Sequence, residues 1–344
     1  MTQARSAVVR LPTGIGAVIM AGGIFGAVAL QRIPGAGAVM TRPLAVVLAL
    51  GWAGVAAALL ASAAKEGFAA HTGAVVGSFA IGTWVAGSVV VARMAMLAAP
   101  SVLWPADGLF AVSVALWAWF MPQALRNLLR IAAAPAAETR PTGVILLTTV
   151  ATQAVALLAF RLFPGIAAVH GLATLLIGLG AACYAGGFLL IVRRYLRNRH
   201  WRLATDWDNT NCILHGALSI TGLAAVVSDR FGVAAITPFW AATGVVFVIV
   251  ESIEIARLAV RLRAFGWRDA VFVYDTSQWA RNFTFGMFYA FTAATAGHFD
   301  VTGNYPLLGA VQGAILGYGQ YLVLALLAGE LALWLADAAK ARSI

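Results

Sequence analysis

The stretch Thr142-Gly-Val-Ile-Leu-Leu-Thr-Thr-Val-Ala-Thr-Gln153-Ala-Val-Ala-Leu-Leu-Ala-Phe-Arg161-Leu-Phe163 carries one charged residue and is closed at its ends by Pro141 and Pro164. A helix rises about 1.5 Å per residue, so about 20 apolar residues cross the ~30 Å hydrocarbon core of a bilayer. This run is long enough to do so, and proline is cheapest in the joints that bound it. A second run, 166–192, begins almost at once, so the two form a helical hairpin.

Working outward, the same pattern gives ten spans: 14–31, 44–64, 72–97, 108–132, 142–163, 166–192, 210–228, 235–263, 279–297 and 306–339. Pro34, Pro43, Pro105 and Pro306 fall in further joints. Composition agrees. Of the 344 residues 62% are apolar and 10% are charged, against about 25% charged in a soluble domain. So little charge cannot cover a water-facing surface, whereas lipid solvates an apolar exterior. No polar domain interrupts the spans, so residues 1–344 read as one all-α polytopic membrane domain.

The net charge of +10 follows from topology rather than from nucleic-acid binding. With the N-terminus inside, 18 Lys and Arg residues fall on the cytoplasmic side, and 5 (Arg32, Arg42, Arg93, Arg161 and Arg230) on the other. That split supports an even number of spans with both termini cytoplasmic, in the cell's inner (plasma) membrane. No small-residue cleavage site follows the first apolar run, so a removed signal peptide is not expected. Cys183 and Cys212 sit alone in apolar stretches and read as packing residues.

The odd-numbered spans begin near 14, 72, 142, 210 and 279, at spacings of 58, 70, 68 and 69 residues. Near-constant spacing predicts one hairpin repeated five times. The odd spans also share small and weakly polar residues, among them Gly22, Gly82, Thr149, Thr152, Gln153, Asn211, His215, Ser219 and Thr284, while the even spans are more uniformly Ala, Leu and Val. Small and polar residues suit helices that crowd an axis or line a watery path; uniform aliphatics suit lipid. The same glycines and hydroxyls also serve plain helix packing and interhelical hydrogen bonding.

Four stretches resemble the tellurite-resistance/C4-dicarboxylate transporter family, which includes plant slow anion channels, yeast malate carriers and sulfite exporters. They are Ala17-Val-Ile-Met20-Ala-Gly22-Gly23-Ile, Gly143 through Ala156, His215-Gly216-Ala-Leu-Ser-Ile-Thr-Gly222-Leu-Ala, and Trp279-Ala-Arg-Asn-Phe283-Thr-Phe285-Gly286-Met287. The likeness runs from the first span to the ninth, with the motifs in the family's order. It implies five hairpins around a pseudo-five-fold pore, odd helices inside, and a homotrimer with one conduit per subunit. It also implies a phenylalanine gate on the ninth helix, at Phe285 with Phe283 as the second choice. Many relatives carry proline where this chain has Gly286, and the Asp206-Trp-Asp-Asn-Thr-Asn211 entry to the seventh span has no counterpart in the family's pattern.

On this reading the chain moves small inorganic anions or C4-dicarboxylates such as malate, and tellurite resistance belongs to the same set of expectations. A ring across a narrow pore raises the cost of ion passage, and uncharged donors replace part of an anion's hydration without trapping it. Arg281 at the cytoplasmic mouth is a candidate for attracting anions. His215 is a candidate for proton coupling, which leaves a proton-coupled dicarboxylate carrier as the alternative. Glu251 and Glu254 read as a surface pair with Arg257. Arg193 to Arg202 reads as topological, with anionic lipid as a second contact.

A haem or quinone redox subunit needs histidines at matched depth; of the five, His170 and His298 come nearest to pairing. No nucleotide, hydrolase or zinc signature is present, so no enzyme activity, cofactor, metal or nucleic-acid partner is expected.

Overall fold

The computed structural model describes residues 12–67, 72–133, 140–198, 200–296 and 305–342. Arg5, Arg10, His71, Arg199, His298 and Ser343 lie outside these residues. The described residues are all-helical, with ten long helices in chain order. They are α1 (Thr13–Arg32), α2 (Ala36–Glu66), α3 (Gly77–Ala98), α4 (Trp104–Ala133), α5 (Gly143–Leu162), α6 (Ala167–Arg197), α7 (Asn209–Val227), α8 (Val233–Val271), α9 (Gln278–Ala296) and α10 (Pro306–Arg342).

Nine of these are long and apolar enough to cross a membrane. The exception is α9, whose 19 residues include Gln278, Arg281, Asn282, Thr284, Thr292 and Thr295. Its polarity has a physical reason. The helix is sheathed by protein: Asn282, Thr284, Thr292 and Thr295 are all buried, and the three threonines donate to carbonyls of their own helix without meeting lipid.

The odd and even helices separate into two layers. Between 61% and 89% of the central window is buried in α1, α3, α5 and α7, against 11% to 33% in the even helices. The inner helices close on themselves: α1 packs on α3, α3 on α5, α5 on α7, α7 on α9, and α9 returns to α1. Each even helix lies outside, against the odd helix that precedes it. The outer layer turns large apolar side chains outward, among them Leu50, Leu60, Leu175, Leu189, Val248 and Ile255. So much exposed aliphatic surface is that of an integral membrane protein.

Glycine sets the seams of the inner ring. A Cβ on Gly82 of α3 would stand 2.8 Å from the Leu147 carbonyl oxygen of α5, and one on Gly143 would run into the backbone of Thr210. Close approach of this kind holds helices together where no water drives their association. The starts of the inner helices repeat a further device. Four of them open with a 3-10 turn, at Thr13–Ile15, Gly77–Ile81, Gly143–Leu146 and Asn209–Cys212, and consecutive turns touch. In α1, a π-helical segment follows at Phe25–Ala29.

Two boundaries differ most from expectation, and Pro105, expected in a joint, falls in the first turn of α4. Pro43 falls inside α2 rather than in a joint; the chain turns at Gly35 (φ 73°) instead, where a left-handed conformation favours glycine. The eighth helix runs on to Val271 with a break at Gly266 (φ 77°), which ends its straight portion near the expected 263.

Candidate functional site

Two cavities lie along the axis of the inner ring. The first, about 270 Å³, is at the N-terminal ends of the inner helices and takes residues from all five: Ala17 and Met20 (α1), Ala80 and Thr83 (α3), Leu147 and Val150 (α5), Ile213 (α7), Ala280 and Phe283 (α9). The second, about 510 Å³, is at their C-terminal ends and is again lined by all five, through residues such as Ile24, Ala86, Ala154, Ile220 and Met287.

Phe283 borders both cavities and is only 2% exposed. It is the residue common to the two linings. Along α9 the axial stripe is Ala280, Phe283, Met287, Ala290 and Ala294, the 3–4 residue spacing of one helix face. Phe285 is on another face. It packs against Phe247 of α8 (ring centroids 4.9 Å apart) and His215 of α7 (6.1 Å), and borders an apolar groove between α8, α9 and α10. Of the two candidate rings, Phe283, the second choice, borders the axial cavities and Phe285, the first choice, borders neither, since residues two apart on a helix point in different directions.

The polar candidates of the odd helices turn away from the axis, and none lines either cavity. They bond chiefly to the outer layer. Thr149 donates to the Gly180 carbonyl (3.0 Å), Gln153 Nε2 to the Ile177 carbonyl (3.1 Å), and Trp117 Nε1 donates to Thr152 Oγ1 (3.0 Å). Asn211 accepts from the Gly143 amide (2.9 Å) and donates to the Tyr195 hydroxyl (2.8 Å). Ser219 and Thr284 donate to carbonyls of their own helices, at His215 and Arg281. Gly22 faces Leu48 of α2, and Gly82 forms the α3–α5 seam. The axial faces are instead small and aliphatic.

Arg281 is held rather than free. Its guanidinium lies 2.7 Å from Glu254 and 3.7 Å from Glu251. Glu251 in turn meets His215 Nε2 at 3.3 Å, and Glu254 meets Arg257 at 3.3 Å and accepts from Trp207 Nε1 at 2.8 Å. Glu254 is 7% exposed. The surface reading of Glu254 is therefore corrected: the expected Glu254–Arg257 pair is one edge of a network joining α7, α8 and α9, in which His215 and Glu254 are buried and Glu251, Arg257 and Arg281 are half-buried. A charge at this depth persists only when paired, and each member here lies within ion-pair distance of another.

The Asp206–Asn211 stretch builds the same junction. Asp208 caps the 3-10 turn of α7 by accepting from the Thr210 amide (2.8 Å), Asn209 donates to Ser277 ahead of α9, and Thr210 accepts from the Val144 amide of α5. Its polar density is explained by four elements meeting there.

The basic residues of the axis are three of the five that the topological reading places on the non-cytoplasmic side. Arg32, Arg93 and Arg161 line the larger cavity. Their signal in the sequence was their violation of the positive-inside pattern. No known protein-family model matches the chain, and no curated protein matches it either.

Proposed function

We propose that the chain is an anion conduit whose path is the axis of the inner ring, interrupted at Phe283. The observation that carries this reading is the pair of cavities, each lined by all five inner helices and meeting at one aromatic ring. Inorganic anions and C4-dicarboxylates are the substrate class. The sign rests on the larger cavity, which has three arginines and no carboxylate in its lining. A water-free aromatic constriction raises the barrier to a hydrated ion, so Phe283 is read as the gate. The transporter family named above remains a resemblance carried by the four quoted motifs.

In this account α9 is the tenth span, and the five hairpins are repeats about a pseudo-five-fold axis. The closed ring of inner helices and their repeated 3-10 starts favour it. Both termini are then cytoplasmic. A homotrimer is inferred from resemblance alone. Native mass spectrometry in mild detergent reads the stoichiometry, and a monomer or dimer across several detergents rejects it.

A coupled carrier is the second reading, favoured by the contact of buried His215 with half-buried Glu251 and Arg281 beside the path. One experiment separates the two: reversal potentials of purified protein in planar bilayers under anion and pH gradients. Conduction is expected to follow the anion gradient alone. A reversal potential that also moves with pH supports the carrier, and no anion current under any gradient rejects both.

A further inference from the structure

The two axial cavities differ in charge. Arg32 of α1, Arg93 of α3 and Arg161 of α5 converge on the larger one, whose lining includes no Asp or Glu. The smaller one has no Lys or Arg in its lining and includes Asp275. Among the described residues, no ion pair engages any of the three arginines.

Ordinary roles explain this only in part. A cation near a helix C-terminus complements the helix dipole, and Arg32 and Arg161 stand in the last turns of their helices. Arg93 does not, for α3 continues to Ala98. The positive-inside pattern opposes all three. The three line a cavity whose walls come from the inner helices, with Arg93 half-buried and Arg32 and Arg161 exposed at its rim, while the outer helices meet the bilayer. Free small anions are the partner that such a cavity admits.

From this juxtaposition we infer that Arg32, Arg93 and Arg161 form an anion-collecting vestibule at the C-terminal mouth of the axis, which makes conduction asymmetric. Like charges set in low-dielectric walls focus the field into the cavity and raise the local anion concentration. An anion enters readily from this mouth and meets no matching attraction at the other, so current carried by anions entering here exceeds the reverse current at equal driving force. The inference rests on the axial path proposed above.

The test reads local potential without requiring conduction. Leu157 lines the same cavity and is half-buried, whereas the native Cys183 and Cys212 are buried. In purified Leu157→Cys protein, the rates of modification by an anionic and a cationic methanethiosulfonate reagent are compared, relative to a free thiol. The anionic reagent is expected to be favoured by about tenfold or more, and nitrate to slow it. Arg93→Gln with Arg161→Gln brings the ratio to the free-thiol value and removes the nitrate effect. Arg93→Lys with Arg161→Lys keeps both, which a packing role does not predict. Variants are accepted when they elute as the parent does.

A free-thiol ratio in the parent, or a ratio indifferent to the Gln changes, overturns the vestibule. A strong ratio in protein that carries no bilayer current rejects conduction and leaves the anion site standing. Symmetric anion current with no charge preference at Leu157→Cys rejects the vestibule alone.

Discussion

At the scale of residues, the polar side chains of the inner helices act as fasteners. Thr149, Thr152 and Gln153 look on paper like pore donors, yet each is spent on a bond to α4, α6 or its own helix. A hydroxyl or amide reads alike on either face of a helix, and only the axial stripe Ala280, Phe283, Met287 tells the two apart. The same holds for Arg281, whose charge is taken up by Glu251 and Glu254. Removing it in Arg281→Gln takes the shared cation from both carboxylates, leaving Glu254 with Arg257 and Glu251 with His215 alone. Breaking a buried pair typically costs ~3–5 kcal/mol, so the variant should melt well below the parent in a detergent thermal-shift assay. Equal melting would mean that the network is not holding α8 to α9. The buried depth of Glu254 could not be read from sequence, because the i,i+3 spacing to Arg257 is as common on exposed helices as on enclosed ones.

At the scale of elements, ten helical segments were legible from run length and proline placement, and the division into inner and outer sets from composition. What was not legible was the local geometry that joins them. The 3-10 starts and the Asp206–Asn211 junction depend on contacts between segments some 68 residues apart, such as Asn211 with Gly143. Gly143 has room for no side chain there, since a Cβ would meet the Thr210 carbonyl. Gly143→Ala is therefore expected to lower the yield of monodisperse protein sharply. Gly178→Ala on α6, where nothing lies within 4 Å, is its control. That change should be neutral or stabilising by up to about 1 kcal/mol, from lost backbone freedom. Size-exclusion profiles distinguish the two. If Gly143→Ala behaves as Gly178→Ala does, the α5–α7 seam is looser than described.

At the scale of the molecule, the basic split among the loops predicts an orientation, and Arg32, Arg93 and Arg161, which fall outside that split, line the larger axial cavity. Cysteine labelling from either side checks the first of these. Ser343 should react from the cytoplasmic side only and Ser101, exposed between α3 and α4, from the opposite side only. Ala106, nearby, is fully buried and would report nothing. Reaction of both from one side removes the ten-span topology. The central claim is that one axial path is closed by one ring, and anion flux from liposomes loaded with purified parent, Phe283→Ala and Phe285→Ala protein tests it most directly. A Phe→Ala change in a packed site costs ~3–5 kcal/mol of stability, so flux is compared only among variants of matched size-exclusion profile. Phe283→Ala is expected to raise flux by about tenfold or more, equivalent to a barrier lower by ~1.4 kcal/mol. Phe285→Ala should leave flux near the parent's. Higher flux from Phe285→Ala with none gained by Phe283→Ala, or no change from either folded variant, would contradict the account.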